Sequence, residues 1–268
     1  MDHMKKRVPV ILFFVFFLGS LKFFAWGTTF FGEVPTGLLE LKDYKHPVYL
    51  FVPPTYKAGR EYPLLVTVPG EGESPEEQIQ FWLSEAKRKS IIVMAPSNLW
   101  PEDLPYKMDE WILRIKKDLA DRYRISPQKI YLVGKDSGAH YASYLGVNYP
   151  DEFTAVATLG GSWIGKFEKL MRLQKTPRKQ LPFFVALRKD QGHLLEATKQ
   201  RAYQFEKKGY PVYFTQLGED EDFSTRKFKL DLLAWLEENS GVWHEVVEKS
   251  KKTFKQKLFI ALEELIHL

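Results

Sequence analysis

The sequence contains no cysteine. That excludes disulfides, thiolate zinc sites, a cysteine nucleophile and a lipid-acylated cysteine. Histidine is missing from one decisive place, although the chain has 6 in all. After the last strand-like run, Val212 to Leu217, no histidine appears until His244. Charge of one sign is lacking too. A net charge of +5 is small and scattered, which reads as a solvated surface and excludes a nucleic-acid partner from the expectation. There is no internal repeat and no low-complexity linker. With 44% apolar and 15% aromatic residues, the chain is long enough for one large domain with a sizeable core.

What is present is a strand that turns sharply into a helix, Lys129-Ile130-Tyr131-Leu132-Val133-Gly134-Lys135-Asp136-Ser137-Gly138-Ala139-His140. The apolar, β-rich first half reads as a buried parallel strand. The second half reads as a helix to about Asn148, stopped by Tyr149-Pro150. Glycine two residues either side of a central residue is the spacing of a nucleophile elbow, whose centre is strained and whose neighbours crowd adjacent backbone. The centre here is Asp136. Shifting it to Ser137 puts Lys135 and Ala139 where glycine is needed. The bland alternative is that Gly134 and Gly138 only permit a tight turn.

The rest of the domain alternates strands and helices. Thr36 to Lys42 and His46 to Val52 read as strands, the second an edge strand ending at Pro53-Pro54. Pro63 to Val68 is a buried strand running into Pro69-Gly70-Glu71-Gly72. Ser74, Pro75 and Glu77 then form a capping box that opens a helix with Trp82 inward. Ile91 to Ala95 is a strand, and the loop after it holds Trp100. Met108, Trp111, Ile112, Ile115, Leu119 and Tyr123 recur at helical spacing. Phe153 to Leu159 is a strand ending in Gly160-Gly161-Ser162-Trp163. Phe183 to Leu187 is another, ending in Arg188-Lys189-Asp190. A helix follows from about His193 to Lys208, and the strand Val212 to Leu217 leads to a helix from about Ser224 to Asn239. Such alternation predicts an α/β class with a mostly parallel sheet covered on both faces.

The two ends have their own character. Lys5, Lys6 and Arg7 precede the apolar run Val8 to Leu18 and Gly19-Ser20. This is the pattern of a secretory signal, either cleaved as a signal peptide or kept as a signal anchor through residues 1–26. The folded part, residues 34–240, is expected outside the cytoplasm: secreted, periplasmic or membrane-anchored through the N-terminus. Residues 243–268 read as an appended amphipathic helix with Val247, Phe254, Leu258, Ala261 and Leu265 on one stripe. It packs on its own domain in the bland reading and on a membrane or partner in the sharper one.

The order of pieces, with Val48 to Pro53, Pro63 to Gly72, Arg124 to Gly138 and Phe153 to Gly161, resembles the α/β-hydrolase fold. More narrowly it resembles the secreted esterases related to polyhydroxybutyrate depolymerases, feruloyl esterases and acetylxylan esterases. The resemblance covers roughly residues 47–238 and implies an eight-stranded sheet. It places the catalytic serine on Asp136, the triad acid on Asp190 and the histidine on Glu221, with Asp220 or Asp222 one residue away. It places the oxyanion loop on Pro69-Gly70, so that Gly70, Ser137, Trp100, Trp163 and His193 are expected in the oxyanion and binding part of the cleft. It implies no cofactor, no metal, and a small ester or carbohydrate-ester ligand.

Two of these three triad positions lack the required chemistry. Ester cleavage by this route needs a hydroxyl nucleophile and a base with proton affinity near neutrality. Asp136 offers no hydroxyl, and a carboxylate at Glu221 is a poor substitute for imidazole. The leading expectation is an esterase-like protein without serine-esterase activity that keeps a ligand cleft. The alternatives are a hydrolase using Asp136 as nucleophile with His193 or His140 as a displaced base, and a tethered interaction protein acting through its C-terminal helix. Clustering of Asp136, Asp190 and Glu221 with Asp222 calls for a neutralising cation, supplied by Lys135, Arg188 and Lys189 or by a bound divalent ion.

Overall fold

The computed structural model describes residues 34–97, 105–165, 167–173, 181–218 and 221–240. The expected signal or anchor, Trp100, Glu219, Asp220 and the C-terminal helix lie outside them. Within them the chain forms β1 (Gly37–Glu40), β2 (Val48–Val52), β3 (Tyr62–Val68), α1 (Pro75–Lys89), β4 (Ile92–Pro96), α2 (Pro105–Arg122) and β5 (Ile125–Lys135). It continues with α3 (Ser137–Asn148), β6 (Ala155–Leu159), β7 (Phe183–Arg188), α4 (Gly192–Lys207), β8 (Val212–Leu217) and α5 (Arg226–Ser240).

One sheet of 8 strands has the order β1-β2-β4-β3-β5-β6-β7-β8. β2 runs antiparallel to both neighbours, β1 and β4, and the remaining pairs are parallel. β2 is therefore an inner strand, which corrects the expectation of an edge strand. The true edges are β1 and β8.

Strand residues alternate between two cores. Leu65, Val93, Tyr131, Val133, Ala155, Ala157, Phe184 and Ala186 pack against Ile79, Trp82 and Ala86 of α1 and Leu232, Leu233 and Leu236 of α5. On the other face lie α2, α3 and α4. Tyr141 and Tyr144 of α3 and Tyr149 after it all donate to the buried carboxylate of Asp109 on α2. Gly146 of α3 approaches Val156, Leu181 and Phe183 so closely that a Cβ would lie 2.6 Å from the Val156 side chain. Burial of each large apolar side chain contributes roughly 1.5–3 kcal/mol.

This order sets the site. The chain moves from β3 to β4 in one direction and from β4 across β3 to β5 in the other. Right-handed crossovers then send α1 and α2 to opposite faces. The loops that leave the C-terminal ends of β3 and β5 diverge between them, and the crevice at that reversal is where open α/β sheets hold ligands.

Candidate functional site at the β5–α3 elbow

Asp136 has φ 51° and ψ −120°. It is one of two non-glycine residues with positive φ among the described residues, a conformation that costs about 1–3 kcal/mol. The flanking glycines explain how the turn is reached. A Cβ on Gly134 would lie 2.3 Å from the Gly138 carbonyl oxygen, and one on Gly138 would lie 2.3 Å from the Val68 carbonyl oxygen. The elbow rests on the end of β6. The Asp136 N–H donates to the Leu159 carbonyl at 2.7 Å. A Cβ on Gly160 would meet Asp136 Oδ1 at 2.6 Å, and one on Gly161 would meet the Asp136 carbonyl at 2.6 Å. The Gly160-Gly161 pair is the bed on which the turn lies.

The Asp136 side chain is 56% exposed and its Oδ2 lies 3.8 Å from Lys135 Nζ. Burial against the elbow pushes its carboxyl upward, Glu73 and Asp222 add to that push, and Lys135 and Arg188 oppose it. With over half the side chain in water, the upward push is modest.

The loop after β3 faces the elbow. Its N–H groups are the ones a hydrolase would aim at a developing oxyanion. Here Gly70 N–H donates to Glu73 Oε2 at 2.8 Å. Glu71 N–H donates to Ser137 Oγ at 2.6 Å. The Gln78 amide also donates to Glu73 Oε2, and Lys135 Nζ pairs with Glu73 Oε1. Both loop donors are thus engaged by acceptors of the chain itself. Glu73 directly precedes α1, where the Ser74–Glu77 capping box forms as the sequence predicts.

No protein-family model matches the chain, and no curated protein matches it in sequence. Solved structures match in fold. A thermostable esterase superposes with a TM-score of 0.58 at 21% identity, over 75% of this chain and 62% of that one, so the chain spans less than two thirds of that relative. An α/β-hydrolase enzyme from a Medee basin deep-sea metagenome library gives 0.58 at 15% identity, over 78% and 100%. A ferulic acid esterase of Anaeromyces mucronatus, solved with ferulic acid, gives 0.56 at 13% identity, over 80% and 94%.

The chain has the α/β-hydrolase fold. Identities at this level carry the architecture and leave the chemistry to the residues of this chain.

In this α/β-hydrolase domain the other expected positions fall as follows. Asp190 lies in the turn after β7 and accepts from Arg188 Nε at 3.2 Å, with its side chain 64% exposed. Glu221 turns back on its own loop, where Oε2 accepts the Gly218 N–H at 2.7 Å. Among the described contacts none joins Asp136, Asp190 and Glu221 directly; the carboxylate from the β8 loop felt at Asp136 is Asp222. Asp222 itself caps the Ser224 N–H at 2.8 Å.

His140 is half-buried in the first turn of α3, and its Nδ1 lies 2.8 Å from the Ser162 carbonyl. The Ser162 N–H also lies 3.4 Å from the same Nδ1, so this ring nitrogen is engaged by the Ser162 backbone. His193 is exposed in the first turn of α4. Trp163 corrects the expectation of a cleft residue. It is 0% exposed and stacks on Phe205 at 4.2 Å within the α4-side core. No group of three or more His, Asp or Glu side chains among the described residues is arranged to hold a metal ion. The cations at the elbow are Lys135 and Arg188.

Glu73, Gln78 and Gln191 were not singled out by sequence. Gln191 donates from Nε2 to the Gly160 carbonyl at 2.8 Å and ties the β7 loop to the bed of the elbow. For Glu73 the available signal was an acid three residues after Gly70.

Proposed function

We propose that the protein is an extracytoplasmic, esterase-like member of the α/β-hydrolase fold that lacks serine-esterase activity and keeps its cleft as a binding site. The observation that carries this reading is the elbow itself. The strained backbone that presents a nucleophile is retained at φ 51°, but it presents a carboxylate beside Lys135 and Glu73. The engagement of the Gly70 and Glu71 N–H groups supports the same reading. Oxyanion donors act only when they are free to meet charge that develops in the transition state.

Hydrolysis through Asp136 as nucleophile would need an imidazole to activate water. His140 engages the Ser162 backbone through Nδ1, and His193 stands exposed on α4. Among the described contacts none joins either imidazole to the Asp136 carboxylate. The ligand class proposed is a small ester or carbohydrate ester, by analogy with the ferulic acid esterase neighbour. The extracytoplasmic address is supported by Lys5-Lys6-Arg7 followed by the apolar run from Val8 to Leu18.

Two measurements test the proposal. Short-chain aryl esters should not be turned over by purified protein above the level of Asp136→Ala. A C-terminally tagged chain should appear in the extracytoplasmic or membrane fraction; recovery in the cytosol alone, with Met1 intact, would overturn the address.

A further inference from the structure

We infer that the loop Pro69–Glu73, together with Gln78 and Lys135, forms a carboxylate-binding site that the chain's own Glu73 fills, and that it accepts the carboxylate of an external ligand when that side chain leaves. The inference rests on reading the cleft as a binding site and adds that the ligand bears a carboxylate.

Donors of three kinds converge on the Glu73 carboxylate. The Gly70 N–H and the Gln78 amide meet Oε2, and the Lys135 ammonium meets Oε1. They come from separate elements: the loop after β3, α1 and the end of β5. Gln78 is 4% exposed, and its neighbours Ile79 and Trp82 are in the core, so packing fixes its amide. The Lys135 backbone is fixed by its pairing with Leu159 in the sheet, which places the root of its side chain beside the loop. A backbone N–H, an amide and an ammonium converging on one point are matched to a carboxylate and give charge-assisted hydrogen bonds.

The occupant is less firmly held than its donors. Glu73 lies between Gly72, at φ +79°, and the Ser74 cap. The loop can turn at Gly72 while the capping box of α1 stays formed. The exchange leaves the charge beside Lys135 unchanged. Lys135 faces Glu73 and, at 3.8 Å, Asp136. An incoming carboxylate replaces Glu73 charge for charge.

The test uses the full-length chain. Glu73→Ala vacates the site, and the probe is sodium formate against sodium chloride at equal ionic strength, read as the thermal midpoint. Formate at about ten times its dissociation constant should raise the Glu73→Ala midpoint by roughly 3–5 °C over chloride. It should leave wild type unchanged and lose its effect when Lys135→Met is added. Recovery of folded Glu73→Ala in formate but not in chloride supports the site equally. Glu73→Ser repeats the comparison where the alanine variant does not fold. Equal midpoints in the two salts, or no folded protein in either salt from both variants, overturns the inference. Ester turnover is not read in this experiment, so the carboxylate site and the non-catalytic reading fail independently.

Discussion

Ser137 Oγ accepts the Glu71 backbone N–H at 2.6 Å. The bond ties the first turn of α3 to the loop after β3. A serine beside the elbow thus acts as a clasp between the two segments. Ser137→Ala is expected to cost about 1 kcal/mol in denaturant unfolding, the usual worth of one such hydrogen bond. A loss within experimental error would mean that the two loops are not joined there.

The glycines of the elbow make a sharper prediction. A Cβ at Gly134 or Gly138 would lie 2.3 Å from a backbone oxygen, and that backbone is held by the pairing of β3 with β5 and by the first turn of α3. Gly134→Ala and Gly138→Ala should each destabilise by about 3 kcal/mol or more, or prevent folding. At Gly59 nothing lies within 4 Å, so Gly59→Ala should change stability by no more than about 0.5 kcal/mol. Equal effects at the two kinds of position would contradict the elbow geometry.

Asp136 carries two costs, one of backbone and one of charge. Burial pushes its carboxyl upward. A raised native value means that the native state binds the proton more tightly. That contribution favours folding below the unfolded value, about 3.9, and is lost as pH rises through the native value. Asp136→Asn should therefore be more stable than wild type at pH 7, with the gap closing as pH falls through the carboxylate range. Asp136→Gly should gain about 1 kcal/mol more, because it also relieves the positive φ. Thermal unfolding across that pH range checks both, and a wild type at least as stable as Asp136→Asn at pH 7 contradicts them.

The parts of the fold that sequence reveals are those encoded by neighbours in the chain. The spacing of Gly134 and Gly138 announces the turn, the Ser74–Glu77 box announces α1, and Tyr149-Pro150 ends α3 at Asn148, as found. The sequence misplaces β2 because Pro53-Pro54 resembles the end of an edge strand, while its partners β1 and β4 are set by non-local pairing. The contacts around the elbow were hidden for the same reason. Glu73 looks like a solvated turn residue until folding brings Lys135 and Gln78 to its carboxylate. Trp163 follows two glycines at a strand end and reads as a cleft residue, yet Phe205, far along the chain, draws it into the core.

We propose that this domain keeps the elbow of a hydrolase without its reaction. The most direct measurement is steady-state turnover of a short-chain aryl ester by the purified wild-type chain and by Asp136→Ala, side by side. Loss of triad members in an active hydrolase leaves roughly 10³–10⁴ over water from binding and the oxyanion hole, and with the loop donors engaged a smaller remainder is expected here. The same low rate is expected for both proteins. A wild-type rate well above background that disappears in Asp136→Ala would contradict it.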